Sequence, residues 1–124
     1  TYLEILKKNE NLNKQTNTSS LNELKLFADD VNKFVGGTCK CQIILGGLSN
    51  NMQEYRCVLS FPPLDYAQTL FRTYVSLNGE KISFQSSFTG KIEKNIKNLH
   101  DRLMKFLQLS TVIEILLYLK GNAG

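Results

Sequence analysis

The stretch that most constrains the fold is residues 74–88, YVSLNGEKISFQSSF, which predicts a β-hairpin. Asn78-Gly79 is a preferred pair for a two-residue type I′ turn, in which both central positions take positive φ. Side chains alternate between the two faces of a strand, so the turn also sets which residues face each other. The expected cross-strand pairs are Val75 with Ile82, Thr73 with Phe84, Tyr74 with Ser83, and Arg72 with Gln85. One face of this hairpin is apolar and the other polar, which is typical of an antiparallel sheet covered on one side.

Two further strands are expected before the hairpin. The segment EYRCVLSF (54–61) alternates apolar and polar side chains, and Pro62-Pro63 ends it because proline cannot donate to a ladder. The segment CKCQIIL leads into it through Gly46-Gly47 and SNN. The sequence therefore predicts an antiparallel meander of four strands, at residues 39–45, 54–61, 69–77 and 80–88.

Helical segments are expected before the sheet. Residues 2–13 carry apolar side chains at helical spacing, whereas NKQTNTSS (13–20) is polar throughout and predicts a loop or linker. Ser20 followed by Glu23 fits a capping box, so a second helix is expected to begin there. Gly36-Gly37 is expected to end that helix, since glycine adopts the conformation that follows a helix C-terminus.

Gly90 introduces the last helical region, whose apolar residues form one stripe at helical spacing. The stripe consists of Ile92, Ile96, Leu99, Leu103, Phe106 and Leu107. A break is expected near residues 109–111, before a final helix at 112–120 that is apolar nearly all round. The element order predicts a two-layer α+β fold, α-β4-α-α, in which a four-stranded antiparallel meander packs on helices. We expect this domain to comprise residues 20–124, preceded by a helical segment and polar linker at residues 1–19.

Composition narrows the class of protein. The three cysteines, an odd number, do not make a disulfide framework, so we expect free thiols in a reducing, intracellular setting. Cys39, Cys41 and Cys57 lack the close ligand pairs of zinc sites, so burial as small apolar residues is preferred over a metal site with His100. No apolar run approaches the roughly 20 residues that span a bilayer. The first residues do not follow a signal-peptide pattern, and because the chain begins without Met we expect it to be a fragment of a longer protein.

The sequence contains no catalytic signature. It has no Gly-rich phosphate loop, no G-x-S-x-G and no His-rich metal pattern. The single histidine, His100, falls among lysines on an expected helix, which is more typical of a surface residue than of a general base. We therefore expect a non-catalytic protein that uses no cofactor.

The polar face of the sheet carries the strongest binding signal. Arg56 is expected on the outward side of its strand, and Arg72 and Tyr74 on the outward side of the hairpin. Arginine and tyrosine are enriched where proteins bind proteins, and arginine binds carboxylates and phosphates through paired hydrogen bonds. We expect these residues, assisted by Lys91 and Lys94, to dock an acidic or phosphorylated segment of another protein. An ordinary solvated sheet face is the alternative.

Apolar residues on the incoming helices predict a homodimer. The helices before the sheet and the apolar final helix carry more apolar surface than one small domain needs. We expect the seam to include Leu6, Leu21, Leu24 and Phe27. The alternative is that the incoming helix packs on its own sheet.

The order of elements resembles the RWD fold. The segments that carry the resemblance are LNELKLFADDVNKF as the incoming helix, QEYRCVLSF as a central strand followed by Pro62-Pro63, and HDRLMKFLQLSTVIEILLYL as two closing helices. The fold is related to ubiquitin-conjugating enzymes but often has no activity. The layout is most similar to RWD-like domains at the C-terminal ends of coiled coils in kinetochore and spindle-checkpoint proteins. The resemblance implies a scaffold domain that binds other proteins and is located in the nucleus at kinetochores. Without the resemblance, the expected location is the cytoplasm.

An RNA-binding function is the alternative. Helix, antiparallel strands and helix is also the order of double-stranded-RNA-binding domains, which place lysines at the start of their last helix. The segment GKIEKNIKN (90–98) has this character, and such modules contact the shape and phosphates of the duplex.

Overall fold

The structure is a computed structural model that describes the backbone of residues 1–123 and the side chains of residues 1–8 and 19–123. The chain has an α+β fold with an antiparallel sheet of five strands, in the spatial order β1-β2-β3-β4-β5. Its elements are α1 (Tyr2–Val35), β1 (Lys40–Ser49), β2 (Met52–Phe61), a 3₁₀ turn (Pro62–Leu64), β3 (Tyr66–Ser76), β4 (Ile82–Ser86), β5 (Ile92–Glu93), α2 (Leu99–Phe106) and α3 (Ser110–Gly121). The α+β class and the meander are confirmed, and the expected number of four strands is wrong by one.

The register of the predicted hairpin is confirmed, but its turn type is wrong. All four expected pairs between β3 and β4 are present. Of the turn residues only Gly79 has positive φ, and the loop is longer, closed by a 2.9 Å hydrogen bond from Ser76 N to Lys81 O. The side chain of Asn78 accounts for the difference, because its Oδ1 accepts from Glu80 N at 3.1 Å and so forms an Asx turn.

A pair of residues with positive φ, as in a type I′ turn, occurs instead in the first hairpin, between β1 and β2. Asn50 and Asn51 have φ of 52° and 60°, and they join β1 to β2 with Ser49 opposite Met52. Gly46 and Gly47, which were expected to turn the chain, lie within β1 at a shift of register.

The break expected within the N-terminal helix is not present. α1 runs without interruption from Tyr2 to Val35, so the predicted loop at 13–20 is helical. That segment contains neither Gly nor Pro, and ordinary polar residues cost at most about 0.7 kcal/mol each in a helix, so nothing in it forces a break. Ser20 is accordingly buried inside the helix instead of capping it, and the capping box of α1 is formed by Thr1 and Glu4.

Residues 90–98 are not helical, although the sequence predicted helix there. Ile92 and Glu93 form β5, which pairs with β4 opposite Gln85 and Phe84. The helix begins only at Leu99, after Asn98, whose Oδ1 accepts from Asp101 N at 3.0 Å. Arg102 in α2 holds Glu93 through two hydrogen bonds of 2.7 and 2.9 Å, and this ion pair favours the strand over another helical turn. The break predicted near residues 109–111 is confirmed.

The core lies between the three α-helices and one face of the sheet. Phe27 of α1, Phe71 of β3, Phe84 of β4 and Phe106 of α2 meet there, with ring centroids 4.9–6.2 Å apart. Apolar residues of the predicted strands and of the helical stripe are buried or partly buried there: Leu59, Val75, Ile82, Phe84, Ile96, Leu99 and Leu103. The helices therefore leave the opposite face of the sheet uncovered.

Candidate functional site

The uncovered sheet face, here called the outer face, presents one continuous row of side chains across all five strands. Cross-strand pairing places Ile44 beside Arg56, Arg56 beside Arg72, Arg72 beside Gln85, and Gln85 beside Ile92. The two arginines therefore lie directly opposite each other on the central strands β2 and β3. Strand alternation predicted that they share a face, and the register shows that they are adjacent.

Arg56 is exposed and is partly neutralised within its own strand. Its Nε donates to Glu54 Oε1, and the two side chains lie on the same face because they are two residues apart. Gly46 on β1 makes room for that carboxylate, since a Cβ built at Gly46 would lie 2.5 Å from Glu54 Oε1. The position of Glu54 thus depends on a glycine that the sequence pattern assigned to a turn.

Arg72 is half-buried, and it forms neither a hydrogen bond nor an ion pair with the side chains that the structure describes. Like charges directly opposite each other on a sheet destabilise it, so the neighbouring Arg56 gives no compensation. A guanidinium has five N–H donors in a planar fork, and those of Arg72 have no acceptor among the residues whose side chains the structure describes. The outer face therefore holds a cation that an added carboxylate or phosphate would neutralise.

Tyr74 borders the arginine row. It lies between Glu54 and Ser83 in the adjacent row, and its hydroxyl donates to Gln85 Oε1 at 3.3 Å. Gln85 Nε2 in turn donates to Gly90 O at 3.3 Å, which ties β4 to the segment before β5. The phenol is thus held beside the arginines with its ring half-exposed.

The charge of the outer face is positive. The pairing of β1 to β4 shows which side chains point outward. Among these outward positions the cations are Lys40, Arg56 and Arg72, and the acidic side chain is Glu54. Most of the rest of the face is neutral, namely Gln42, Ile44, Val58, Tyr74, Ser83 and Gln85. Such a surface attracts anionic partners, and its arginines offer paired donors to them.

Lys91 and Lys94 lie outside any helix. Both are exposed, on either side of the two-residue strand β5 at the edge of the sheet next to Gln85. The RNA-binding alternative placed these lysines at the start of the last helix, and that placement is wrong. They lie near the end of the arginine row instead.

The four residues expected at a dimer seam separate into two groups. Leu24 is 0% exposed and Phe27 packs against Phe71, so both belong to the core of their own chain. Leu21 is half-buried against the same core. Leu6 is 63% exposed, near the N-terminal end of α1. For Leu24 and Phe27 the alternative, packing on the chain's own sheet, is correct.

A second surface, here called the helical groove, was not identified from the sequence. It is a cavity of about 390 Å³ between α1, α2 and α3. Buried Phe27, Val31 and Leu103 form its floor, and exposed apolar side chains form its walls: Leu26, Phe34, Met104, Ile113 and Leu117. The final helix, apolar nearly all round, was the one available signal, since such a helix needs a cover on both sides.

The cysteines do not form a reactive site. Burial, followed by the neighbouring Cys41, raises the pKa of the Cys39 thiol to about 11. The hydrogen bond with Cys41, 3.4 Å between the sulfur atoms, and burial raise the pKa of Cys57 well above its usual value. Both thiols are thus protonated at neutral pH and are poor nucleophiles. Within the part of the chain described, no three His, Cys, Asp or Glu side chains are arranged to hold a metal ion.

Comparison with known proteins adds no relative. No protein-family model, no curated protein and no solved structure matches this chain. Among the described residues, none of the helices has the length and apolar character that crossing a membrane requires.

Proposed function

We propose that this chain is a non-catalytic protein-interaction module that docks an acidic or phosphorylated protein segment on the outer face of its sheet. Arg56 and Arg72 supply the central contacts, Tyr74 packs beside them, and Lys91 and Lys94 attract the segment at the edge. The RWD-like resemblance supports the same class of function, because such domains serve as scaffolds at the ends of coiled coils. Action at the kinetochore is the part of the proposal that depends on this resemblance alone. Homodimerisation belongs to the proposal as well.

One observation carries the proposal: Arg56 and Arg72 are adjacent, and within the described part of the chain Arg72 has no acceptor. Two guanidinium groups side by side on rigid central strands repel each other in the free protein. An anion that bridges them relieves that repulsion and satisfies the free donors of Arg72. Hydrogen bonds to charged groups contribute about 1.5–3 kcal/mol each, so a bridging carboxylate or phosphate supplies useful affinity.

The double variant Arg56→Ala/Arg72→Ala tests the proposal. The probes are a fluorescent Asp/Glu-rich peptide, the same peptide with one phosphoserine, and a neutral peptide, with binding followed by anisotropy. We expect the acidic peptides to bind the wild type in preference to the neutral one, and the double variant to lose at least about 10-fold in affinity, or roughly 1.4 kcal/mol. The phosphorylated and unphosphorylated probes show which anion the face prefers.

The matched control is Lys25→Ala/Lys105→Ala, which removes the same charge from exposed positions on the helices. It should bind the acidic peptides as the wild type does. An equal loss of affinity in this control would show that the effect depends only on net charge, and it would overturn the proposal. Undiminished affinity in a folded double arginine variant would also overturn it, as would tighter binding to an RNA duplex than to either acidic peptide.

A further inference from the structure

The helical groove has the shape of a site for a helix. Its α1 side is lined from Glu23 to Phe34, about 16 Å at 1.5 Å per residue, along one face of three helical turns. α2 and α3 form the opposite wall, with Met104 and Leu117 exposed. A long apolar channel between helices is the geometry in which an amphipathic helix lays its apolar side.

The border of the groove on α1 is acidic. Glu23 and Asp30 are two turns apart on the face that lines it. Glu23 Oε1 lies 2.7 Å from His100 Nδ1, on the opposite wall. Asp30 is exposed and pairs with none of the cations whose side chains the structure describes. The groove thus combines apolar walls with two carboxylates on one border, and among the described side chains Asp30 has no cationic partner. This combination favours a helix that carries lysines beside its apolar residues.

The first two turns of α1 carry lysines beside apolar residues. Residues 2–8, YLEILKK, are helical, and all their side chains are exposed. Leu3, Ile5 and Leu6 are each about 60% exposed, so none of the side chains that the structure describes covers them. Lys7 and Lys8 follow directly, and Glu4 is engaged with the N-terminus through the capping box.

This segment cannot fill the groove of its own chain. It belongs to the same uninterrupted helix as Glu23 and Asp30, and about 22 Å of helix separate Lys8 from Glu23 at 1.5 Å per residue. The helix would have to break for residues 2–8 to fold back. The groove and the segment that matches it can therefore meet only between two molecules.

We propose that residues 2–8 of one copy occupy the helical groove of a second copy, with the two α1 helices antiparallel. In this arrangement Leu3 and Leu6 pack against Leu26 and Met104 of the other molecule, while Lys7 and Lys8 face its Glu23 and Asp30. A two-fold axis makes the contact reciprocal, so both grooves are filled and no further copy can add. The inference rests on the homodimer of the proposed function and gives it a seam, but it is independent of the outer face.

Charge reversal on each side of the contact provides the test, with self-association measured by sedimentation velocity. One variant is Lys7→Glu/Lys8→Glu, and the other is Glu23→Lys/Asp30→Lys. Each alone sets like charges against each other at both contacts of the homodimer, so we expect the dissociation constant to rise at least about 10-fold, because such juxtapositions are strongly unfavourable. Mixing the two variants sets opposite charges against each other at both contacts, and we expect a heterodimer to form.

The control Lys81→Glu/Lys97→Glu makes the same charge change as the first variant at exposed positions outside the groove, and it should dimerise as the wild type does. A monomeric wild type, dimers that withstand both reversals, or no heterodimer on mixing would each overturn the inference. The outer face is tested separately, because the monomeric charge variants should still bind the acidic peptide and Arg56→Ala/Arg72→Ala should still dimerise. Loss of one property without the other shows which proposal fails.

Discussion

At the scale of single residues, the charge of the outer face depends on where one carboxylate lies. Glu54 accepts from Arg56, whereas the neighbouring Arg72 has no such partner among the side chains described. Strand alternation is enough to place both arginines on one face from sequence. It does not identify the Glu54–Arg56 pair, because that pair depends on a bare Gly46 on the adjacent strand. Sequence patterns thus give the direction of a side chain more readily than its partner.

Replacing Glu54 tests how far it masks the arginines. In Glu54→Gln the side chain keeps its size, but Arg56 loses its intramolecular anion and the face gains one net positive charge. We expect acidic peptides to bind this variant several-fold more tightly than the wild type, since exposed pairs of this kind are worth about 0.2–1 kcal/mol. Glu80→Gln, at the exposed loop between β3 and β4, is the matched control and should change affinity less. Equal or weaker binding by Glu54→Gln would contradict an anion-binding role for Arg56.

At the scale of elements, short-range patterns predicted registers well and boundaries less well. The β3–β4 register followed from the alternation of side chains between the two faces of a strand. A shift of one residue would have moved Val75 and Phe84 from the buried face to the exposed face. The segment 90–98 was misassigned because Ile92 and Ile96 fit a helical stripe. The tertiary contact between Glu93 and Arg102 favours a strand there, and no local pattern reveals it.

The N-cap of α2 gives a prediction at this scale. Asn98 Oδ1 accepts from Asp101 N at 3.0 Å and so satisfies one of the free N–H groups of the first turn. Asn98→Ala should lower the free energy of unfolding by about 1 kcal/mol, and Asn98→Asp should preserve it, because both Asn and Asp cap helices well. Urea denaturation measures the difference. If the alanine variant is as stable as the aspartate variant, the boundary of α2 assigned here is wrong.

At the scale of the whole molecule, the sequence predicted which surfaces are apolar but not what covers them. Periodicity assigned an apolar side to α1, and burial of Leu24 and Phe27 shows that the chain's own core uses it. The helical groove forms where three helices meet. Two of these, α2 and α3, follow α1 in the sequence only after all five strands. Arrangements of this kind depend on tertiary packing, which a single sequence without a motif does not specify.

The phenylalanine cluster makes the stability of the molecule depend on contacts between its layers. Phe84 of β4 stacks on Phe71 at 4.9 Å, approaches Phe106 of α2 at 5.9 Å and lies under the guanidinium of Arg102 at 4.3 Å. Phe84→Ala removes a fully buried ring that joins sheet and helix, and we expect it to cost about 3–5 kcal/mol through lost burial and the cavity left behind. Leu48→Ala, at a position 60% exposed on β1, should change stability by about 0.5 kcal/mol or less.

Unfolding should be followed by both far-UV circular dichroism and tyrosine fluorescence, at concentrations where the protein is monomeric. Because sheet and helices share this cluster, both probes should report one transition that shifts together in the Phe84 variant. A variant that keeps the wild-type midpoint would show that the ring does not join the two layers.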